Sequence, residues 1–520
     1  MQNADSVPDF PCVFNAASYF IDRHINEDRE NKTAIIDDAG TYTYGELLSR
    51  VNQLGNALLK LGLDKNDRVA MVMLDSIEFP SVFWGAIKAG VIPVPLNTLL
   101  TTAEYEFILN DSGATILIVS ETLYPVIEPV ISNIPELQHI IISGEQDYKL
   151  PLLSSLLHES FPELKPADSY SDDIAFWLYS SGSTGNPKGV MHRHENLYHT
   201  AKLYGKGVLG IREDDTVYSA AKLFFAYGLG NAMTFPLYIG ATAILSAARP
   251  TPISVMDIIQ NKKPTIYYGV PGLYAAILAS IDGPVPTRLR LCVSAGEALP
   301  DHIGREWETN FNVSILDGIG STEMLHIYLS ADSNDDYYGT TGIPVPGYEI
   351  KLVDEKGALV SPGEIGELLV KGPSVASGYW QLPEKTRNVF QDGWLHSGDK
   401  YIQNEKGFYV YSGRNDDMFK VSGQWVSPFE VESAISQHPH VLEAAVVAKE
   451  DDNNLLKPMA YVVLRDNIQA NEKLAYEIKQ YVKQNISKHK YPRWVEFVDS
   501  LPKTATGKIQ RYKLRHQQHQ

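Results

Sequence analysis

Cysteine is nearly absent: Cys12 and Cys292 are the only two in 520 residues. Two thiols are too few for a disulfide framework or a thiolate metal site, and they fit a reducing cytosol. Basic charge is also short, with 45 Lys plus Arg against 63 Asp plus Glu and a formal net charge of −18. A nucleic-acid binder needs a basic face or stripe, so that class is disfavoured. Met1 to Cys12 carries Asp5 and Asp9 and no basic-then-apolar stretch, so no signal peptide is expected. Repeats and low-complexity tracts are missing. The stretch 223–248 carries no charged residue and is long enough on paper to cross a bilayer. Asn231, Pro236, Gly228, Gly230 and Gly240 interrupt it. Pro236 is expected to break the backbone ladder there, and the glycines to leave two buried elements joined by a turn. The expectation is a cytoplasmic protein without membrane insertion.

What is present is ample apolar material, 44% hydrophobic against 21% charged residues, enough for large buried cores. The run 68–73 (RVAMVM) reads as a buried strand, 78–88 as a helix closed by Gly90, 91–96 as an extended piece, 103–111 as a helix and 115–120 as a strand. This βαβ alternation predicts a parallel sheet covered by helices. From Gly347 the texture shifts to glycine-punctuated short strands, 348–353 and 366–371, which suggests a small antiparallel subdomain. After about Arg414 come a helix (428–437), two strands (441–448 and 458–464), a helix (472–484) and a strand (494–498), an α+β unit of ordinary domain size. The expected class is α/β: a large N-terminal domain over 1–415, including the β-subdomain, and a small C-terminal domain over 416–520.

The loudest chemical signal is 179–189 (YSSGSTGNPKG), directly after an apolar run. Glycines let successive backbone N–H groups turn toward an anion, Ser180, Ser181, Ser183 and Thr184 add hydroxyls, and Lys188 adds a point charge. It is not a Walker loop, because Lys188 is followed by Gly189 and Val190 rather than Ser or Thr. Gly, Ser and Thr clusters are usually surface turns, yet the Pro-Lys-Gly ending favours phosphate binding.

This run resembles the signature of the adenylate-forming superfamily of acyl-CoA synthetases, adenylation domains and luciferases. Five further segments follow in that family's order: 294–300 (SAGEALP), 317–323 (DGIGSTE), 394–399 (WLHSGD), 411–420 (YSGRNDDMFK) and 502–508 (PKTATGK). The resemblance implies an ATP/AMP site that includes Ser181, Gly182, Ser183, Thr184, Gly185, Lys188, Gly296, Glu297, Ala298, Asp317, Gly318, Gly320, Ser321, Thr322, Asp399, Arg414 and Lys508. Asp317 is the implied partner of the adenine amino group, and Asp399 and Arg414 fit the ribose. Ile319 departs from a position that is often aromatic in the family. Lys508 is the implied catalytic lysine, Lys188, Thr184 and Glu323 assist at the phosphates, and Glu323 with Thr184 would hold Mg2+. Asp416 matches the hinge of a mobile C-terminal domain. Lys420, Gly423 and Trp425 would serve the CoA step, with Gly423 leaving room for the pantetheine arm.

The stretch 222–231 (KLFFAYGLGN) and 320–327 (GSTEMLHI) resemble the benzoate-CoA ligase branch. Phe225, Ala226 and Tyr227 with Gly320 and Ile327 would form a short flat slot for an aromatic ring. His326 reads as a packing or hydrogen-bonding residue, since a carboxylate substrate is already ionised. The implied activity is AMP-forming ligation of an aromatic carboxylate to CoA at the expense of ATP; the oligomeric state is left open, a homodimer being the commonest default among proteins. The alternatives are a medium-chain or other acid-CoA ligase and a stand-alone adenylation enzyme that loads a carrier protein.

Overall fold

The computed structural model describes residues 10–146, 148–182, 185–332, 337–415, 417–421, 424–451, 455–503 and 509–517. The chain is α/β. Its largest sheet has nine strands, in the order Ile343–Pro344, Ile327–Ser330, Ile315–Gly320, Leu291–Ala295, Ile266–Gly269, Thr216–Ser219, Thr242–Ile244, Thr33–Ile36 and Thr41–Thr43. The strands from Ile315–Gly320 to Thr33–Ile36 run parallel, and the outer ones are antiparallel. A second, four-stranded parallel sheet is built from Ile92–Pro95, Arg68–Val72, Ile116–Ser120 and His139–Ser143.

Helices Tyr44–Lys60 and Glu78–Ala89 pack between these sheets, and glycine sets how closely they approach. A Cβ on Gly85 would lie 2.8 Å from the Val51 carbonyl oxygen, and one on Gly55 3.0 Å from the Gly85 oxygen. Thr43 caps the first helix by accepting the Glu46 N–H, and Gly90, at φ 81°, ends the second. The β-subdomain pairs Glu349–Val353, Ile365–Lys371, Trp394–Gln403 and Phe390–Gln391, with Tyr409–Arg414 added on Trp394–Gln403.

The C-terminal unit has its own core, in which Phe419, Val421, Val431, Ile435, Val446, Val462 and Ile478 are buried together. It comprises the hairpin Phe419–Val421/Gln424–Val426, helices Pro428–Ser436 and Glu472–Asn485, and the sheet Val441–Glu450, Leu456–Leu464, Trp494–Phe497.

The uncharged stretch corrects one expectation. Pro236 does not break it: helical backbone runs from Ala226 to Ile239 through a π-register segment, Gly230–Thr234. Pro236 falls at the second residue after that register change, where the missing N–H is tolerated. The turn comes only at Gly240, at φ 92°, before the strand Thr242–Ile244. Among the described residues no helix is long and apolar enough to cross a membrane.

Candidate active site

Three of the singled-out segments leave the carboxyl ends of neighbouring parallel strands, where α/β sheets bind ligands. The loop 296–298 follows Leu291–Ala295, and 317–323 occupies and follows Ile315–Gly320, with Ser294 opposite Asp317 and Ala295 opposite Gly318. The aromatic segment joins them through Tyr227, whose hydroxyl donates to the carbonyls of Gly269, the last residue of the adjacent strand Ile266–Gly269 (3.3 Å), and of Val293, within Leu291–Ala295 (3.2 Å).

The phosphate-loop candidate is the tip of an antiparallel hairpin, Ile174–Gly182 with Gly185–Arg193, in which Ser180 pairs with Lys188. Ser183 and Thr184 lie outside the described residues, as do the side chain of Ser181 and the surroundings of Gly182 and Gly185. Lys188 stands 4.6 Å from the ring centre of Tyr379. Burial pulls its pKa down, Glu323 opposes that, and the positive charges of Lys385 and Arg414 add to it. Glu323 accepts a 2.8 Å hydrogen bond from the Tyr379 hydroxyl at Oε1. The neighbouring Thr322 carbonyl bonds His192 Nε2 at 2.8 Å, tying this loop to the hairpin, and Ser321 Oγ accepts the Met324 N–H.

Asp399 and Arg414 face each other across two antiparallel strands and form a 3.0 Å ion pair. The Arg414 guanidinium also donates to the Ser397 carbonyl, and Asp399 above all holds its pKa up. Asp317 is 4% exposed with Oδ1 unpartnered among the described residues, and burial raises its pKa well above the usual carboxylate range. Gly296 adopts φ 97°, Ala298 is half-buried, and Glu297 Oε1 accepts the N–H of Ile509 at 3.1 Å. That contact brings the segment after 502–508 against the 296–298 loop. Lys508 itself lies outside the described residues.

Gly320 has no space for a side chain: a Cβ would stand 2.5 Å from the His326 carbonyl oxygen. Ile327 is buried, and its side chain lies 3.0 Å from where a Gly318 Cβ would be. Phe225 and Ala226 are half-buried, with Phe225 packed on Phe224 at 4.4 Å. His326 is enclosed by Tyr204, Tyr227 and Phe235, and its Nε2 is shared between the Tyr227 carbonyl and Asn231 Oδ1. Burial drives its pKa down to about 3, so it packs as a neutral ring. Between Glu323 and His326, Leu325 holds φ 65°, a left-handed conformation that costs a non-glycine residue about 1–2 kcal/mol. Such strain gathers at functional loops.

In the C-terminal unit Lys420 and Trp425 pair across the short hairpin, the ammonium 4.5 Å from the ring centre. Gly423 and Asp416 lie outside the described residues. Three participants were not singled out from the sequence, Tyr379, Lys385 and Asp75, and Asn231 was read there only as an interruption of the uncharged run. Asp75, buried and pushed up to about 6 by that burial, accepts the Leu223 N–H just before the aromatic segment. None of these three sits in a glycine-rich run.

A family model described as AMP-binding enzyme matches residues 21–380, and one described as AMP-binding enzyme C-terminal domain matches residues 430–508. The chain belongs to this family of adenylate-forming enzymes. It is 54% identical over 509 residues to a benzoate--CoA ligase of Thauera aromatica, covering 97% of this chain and 96% of that one. It is 48% identical to a 4-hydroxybenzoate--CoA/benzoate--CoA ligase of Rhodopseudomonas palustris, covering 96% and 94%. A crystal structure of a benzoate CoA ligase from Burkholderia xenovorans superposes with a TM-score of 0.90 at 50% identity, covering 96% and 100%. These similarities put the chain in the benzoate-CoA ligase branch.

Proposed function

We propose that the chain is an AMP-forming aryl-CoA ligase that activates benzoate or a substituted benzoate. The acid's carboxylate attacks the α-phosphorus of ATP, and pyrophosphate leaves with the electron pair of the broken P–O bond. The CoA thiol, losing its proton, then adds to the acyl carbon, and AMP leaves to give the thioester. The observation that carries this reading is 54% identity over nearly the whole chain to a benzoate--CoA ligase.

The first step sets anion against anion, so positive charge must gather at the phosphates. Lys188, with Lys385 and Arg414 adding to its field, supplies part of it. Lys508 supplies the catalytic ammonium. No three His, Cys, Asp or Glu converge into a metal cage among the described residues. Glu323 and Thr184 would hold Mg2+, a hard cation that favours oxygen ligands and needs no all-protein cage. When bound, it withdraws charge from the phosphate oxygens. Asp399, fixed by Arg414, accepts from ribose hydroxyls, and Asp317 Oδ1 is an acceptor for the adenine amino group.

The hydroxyl of Tyr227 is committed to backbone carbonyls, which leaves its ring as an apolar wall beside Phe225, Ala226, Gly320 and Ile327. Rotation at Asp416 exchanges Lys508 for the Lys420–Trp425 hairpin and Gly423 in the CoA step. The enzyme works as a cytoplasmic protein with a homodimer as its expected assembly. The test is mass-spectrometric measurement of AMP and acyl-CoA from benzoate, 4-hydroxybenzoate, hexanoate and dodecanoate. Benzoate-like acids should lead dodecanoate by about one to two decades, because overfilling a packed slot costs about 1–3 kcal/mol. A preference for dodecanoate overturns the aromatic assignment.

A further inference from the structure

Glu323 and Lys188 carry opposite charges and flank one site, yet the described contacts pair neither with the other. Both meet Tyr379 instead. Its hydroxyl donates to Glu323 Oε1 at 2.8 Å, while its ring lies under the Lys188 ammonium at 4.6 Å from the ring centre. The side chain is 4% exposed and cannot swing freely. The backbone that delivers it is stitched to both partners. Tyr379 pairs with Val190 on the Lys188 strand, the Trp380 N–H donates to the Gly189 carbonyl at 2.8 Å, and the Ala376 N–H donates to the Glu323 carbonyl at 2.8 Å. Thr386 Oγ1 accepts the Tyr379 N–H and fixes the strap from behind.

We infer that Tyr379 is the positioning residue that holds Glu323 and Lys188 apart and turned toward the same phosphate group. This rests on the phosphate-site reading of those two residues. A direct Lys188–Glu323 ion pair would neutralise both and leave neither for ATP. A carboxylate is acceptor-only, so the tyrosine hydroxyl must donate. It occupies one carboxylate oxygen and leaves the second for a cation. The ring's electron-rich face stabilises an ammonium that burial otherwise penalises.

Two substitutions separate the two contacts. Tyr379→Phe keeps the ring under Lys188 and removes the hydrogen bond, while Tyr379→Leu removes both. In the full chain, ATP affinity is read by calorimetry in EDTA, and the Mg2+ concentration for half-maximal pyrophosphate exchange is read separately. Tyr379→Phe should raise the half-saturating Mg2+ about tenfold, the effect of losing a hydrogen bond to a charged group. It should leave metal-free ATP binding within about twofold of the parent, because the ring contact persists. Tyr379→Leu should in addition weaken metal-free ATP binding about three- to tenfold. Glu323→Gln serves as the reference for the underlying reading and should shift the Mg2+ requirement at least as far as Tyr379→Phe. If Glu323→Gln leaves that requirement unchanged, the assignment of Glu323 fails and the inference falls with it. If Glu323→Gln shifts it and Tyr379→Phe does not, Tyr379 has no positioning role while the site reading stands. Tyr379→Phe, the conservative change, decides the matter even if the leucine variant does not fold.

Discussion

Glu323 and His326 are three residues apart on one loop and belong to two differently built regions. Around Glu323 charged, half-exposed groups gather: Glu323 accepts from Tyr379, its charge acts on Lys188, and Lys385 and Arg414 add positive charge beside that lysine. Around His326 the surroundings are neutral: buried Tyr204 and Phe235 and half-buried Tyr227 enclose the ring, and its Nε2 hydrogen bonds go to a carbonyl and an amide oxygen. Leu325 is the junction, and its left-handed backbone lets one short segment serve both sides. A region that must stabilise charge developing in a reaction keeps groups poised and incompletely paired. A region that must recognise a flat apolar ring keeps charge out and offers shape.

The comparison can be broken most forcefully on the charged side. Lys508→Ala should lower adenylation about a hundredfold to a thousandfold, the usual cost of removing one positioned charge stabiliser. Thioester formation from supplied aroyl-adenylate should survive, and rapid-quench assay of each half-reaction checks it. Equal loss of both would mean that the lysine serves both steps.

On the apolar side the expected effect is smaller and confined to the acid. Ala226→Leu should cut kcat/KM for benzoate by about one to two decades through overpacking. The KM for ATP should stay within about twofold, since this segment makes shape rather than charge contacts. A parallel loss of ATP affinity would show that the two regions are not separable.

The smallest effect sharpens the contrast through pH. His326 is held neutral with a folded pKa of about 3, against an ordinary value of 6.5. Its contribution to stability is therefore complete above pH 6.5 and is lost as pH falls toward 3, because only the unfolded chain takes up the proton. The slope from one such group is at most about 1.4 kcal/mol per pH unit. Urea unfolding from pH 6.5 to 4.5 should show a shallower pH dependence for His326→Asn than for the parent chain. Part of the acid sensitivity should remain, because burial also lowers His24, His192, His194 and His199 to about 4. Parallel curves would mean that His326 titrates as if exposed.

Much of this molecule was legible in one dimension. The run 68–73 reads as a strand and folds as Arg68–Val72, and Gly90 ends its helix as its position after Lys88 implied. Where the sequence misled, a local rule met a non-local solution: Pro236 is absorbed by a π register in a helix whose surroundings are buried. Site residues divided in the same way. Lys188 stood out through its glycine-rich run and Pro-Lys-Gly ending, and Glu323, Asp399 and Arg414 through the likeness of their segments to the family's motifs. Tyr379 did not, because a tyrosine in an ordinary strand carries no signal until its partner is known.

By itself the sequence determined the backbone chemistry: which segments are strands, where glycine lets N–H groups converge, and which ordered set of motifs identifies an adenylate-forming enzyme. These are properties of short stretches, and short stretches carry them intact. Only the tertiary structure decided which side chains meet. Asp399 finds Arg414 through strand register, Tyr379 reaches Glu323 across 56 residues, and the N–H of Ile509 reaches Glu297 across 212. Those meetings depend on how sheets and domains pack, and packing is set by the burial of the whole chain rather than by any one motif.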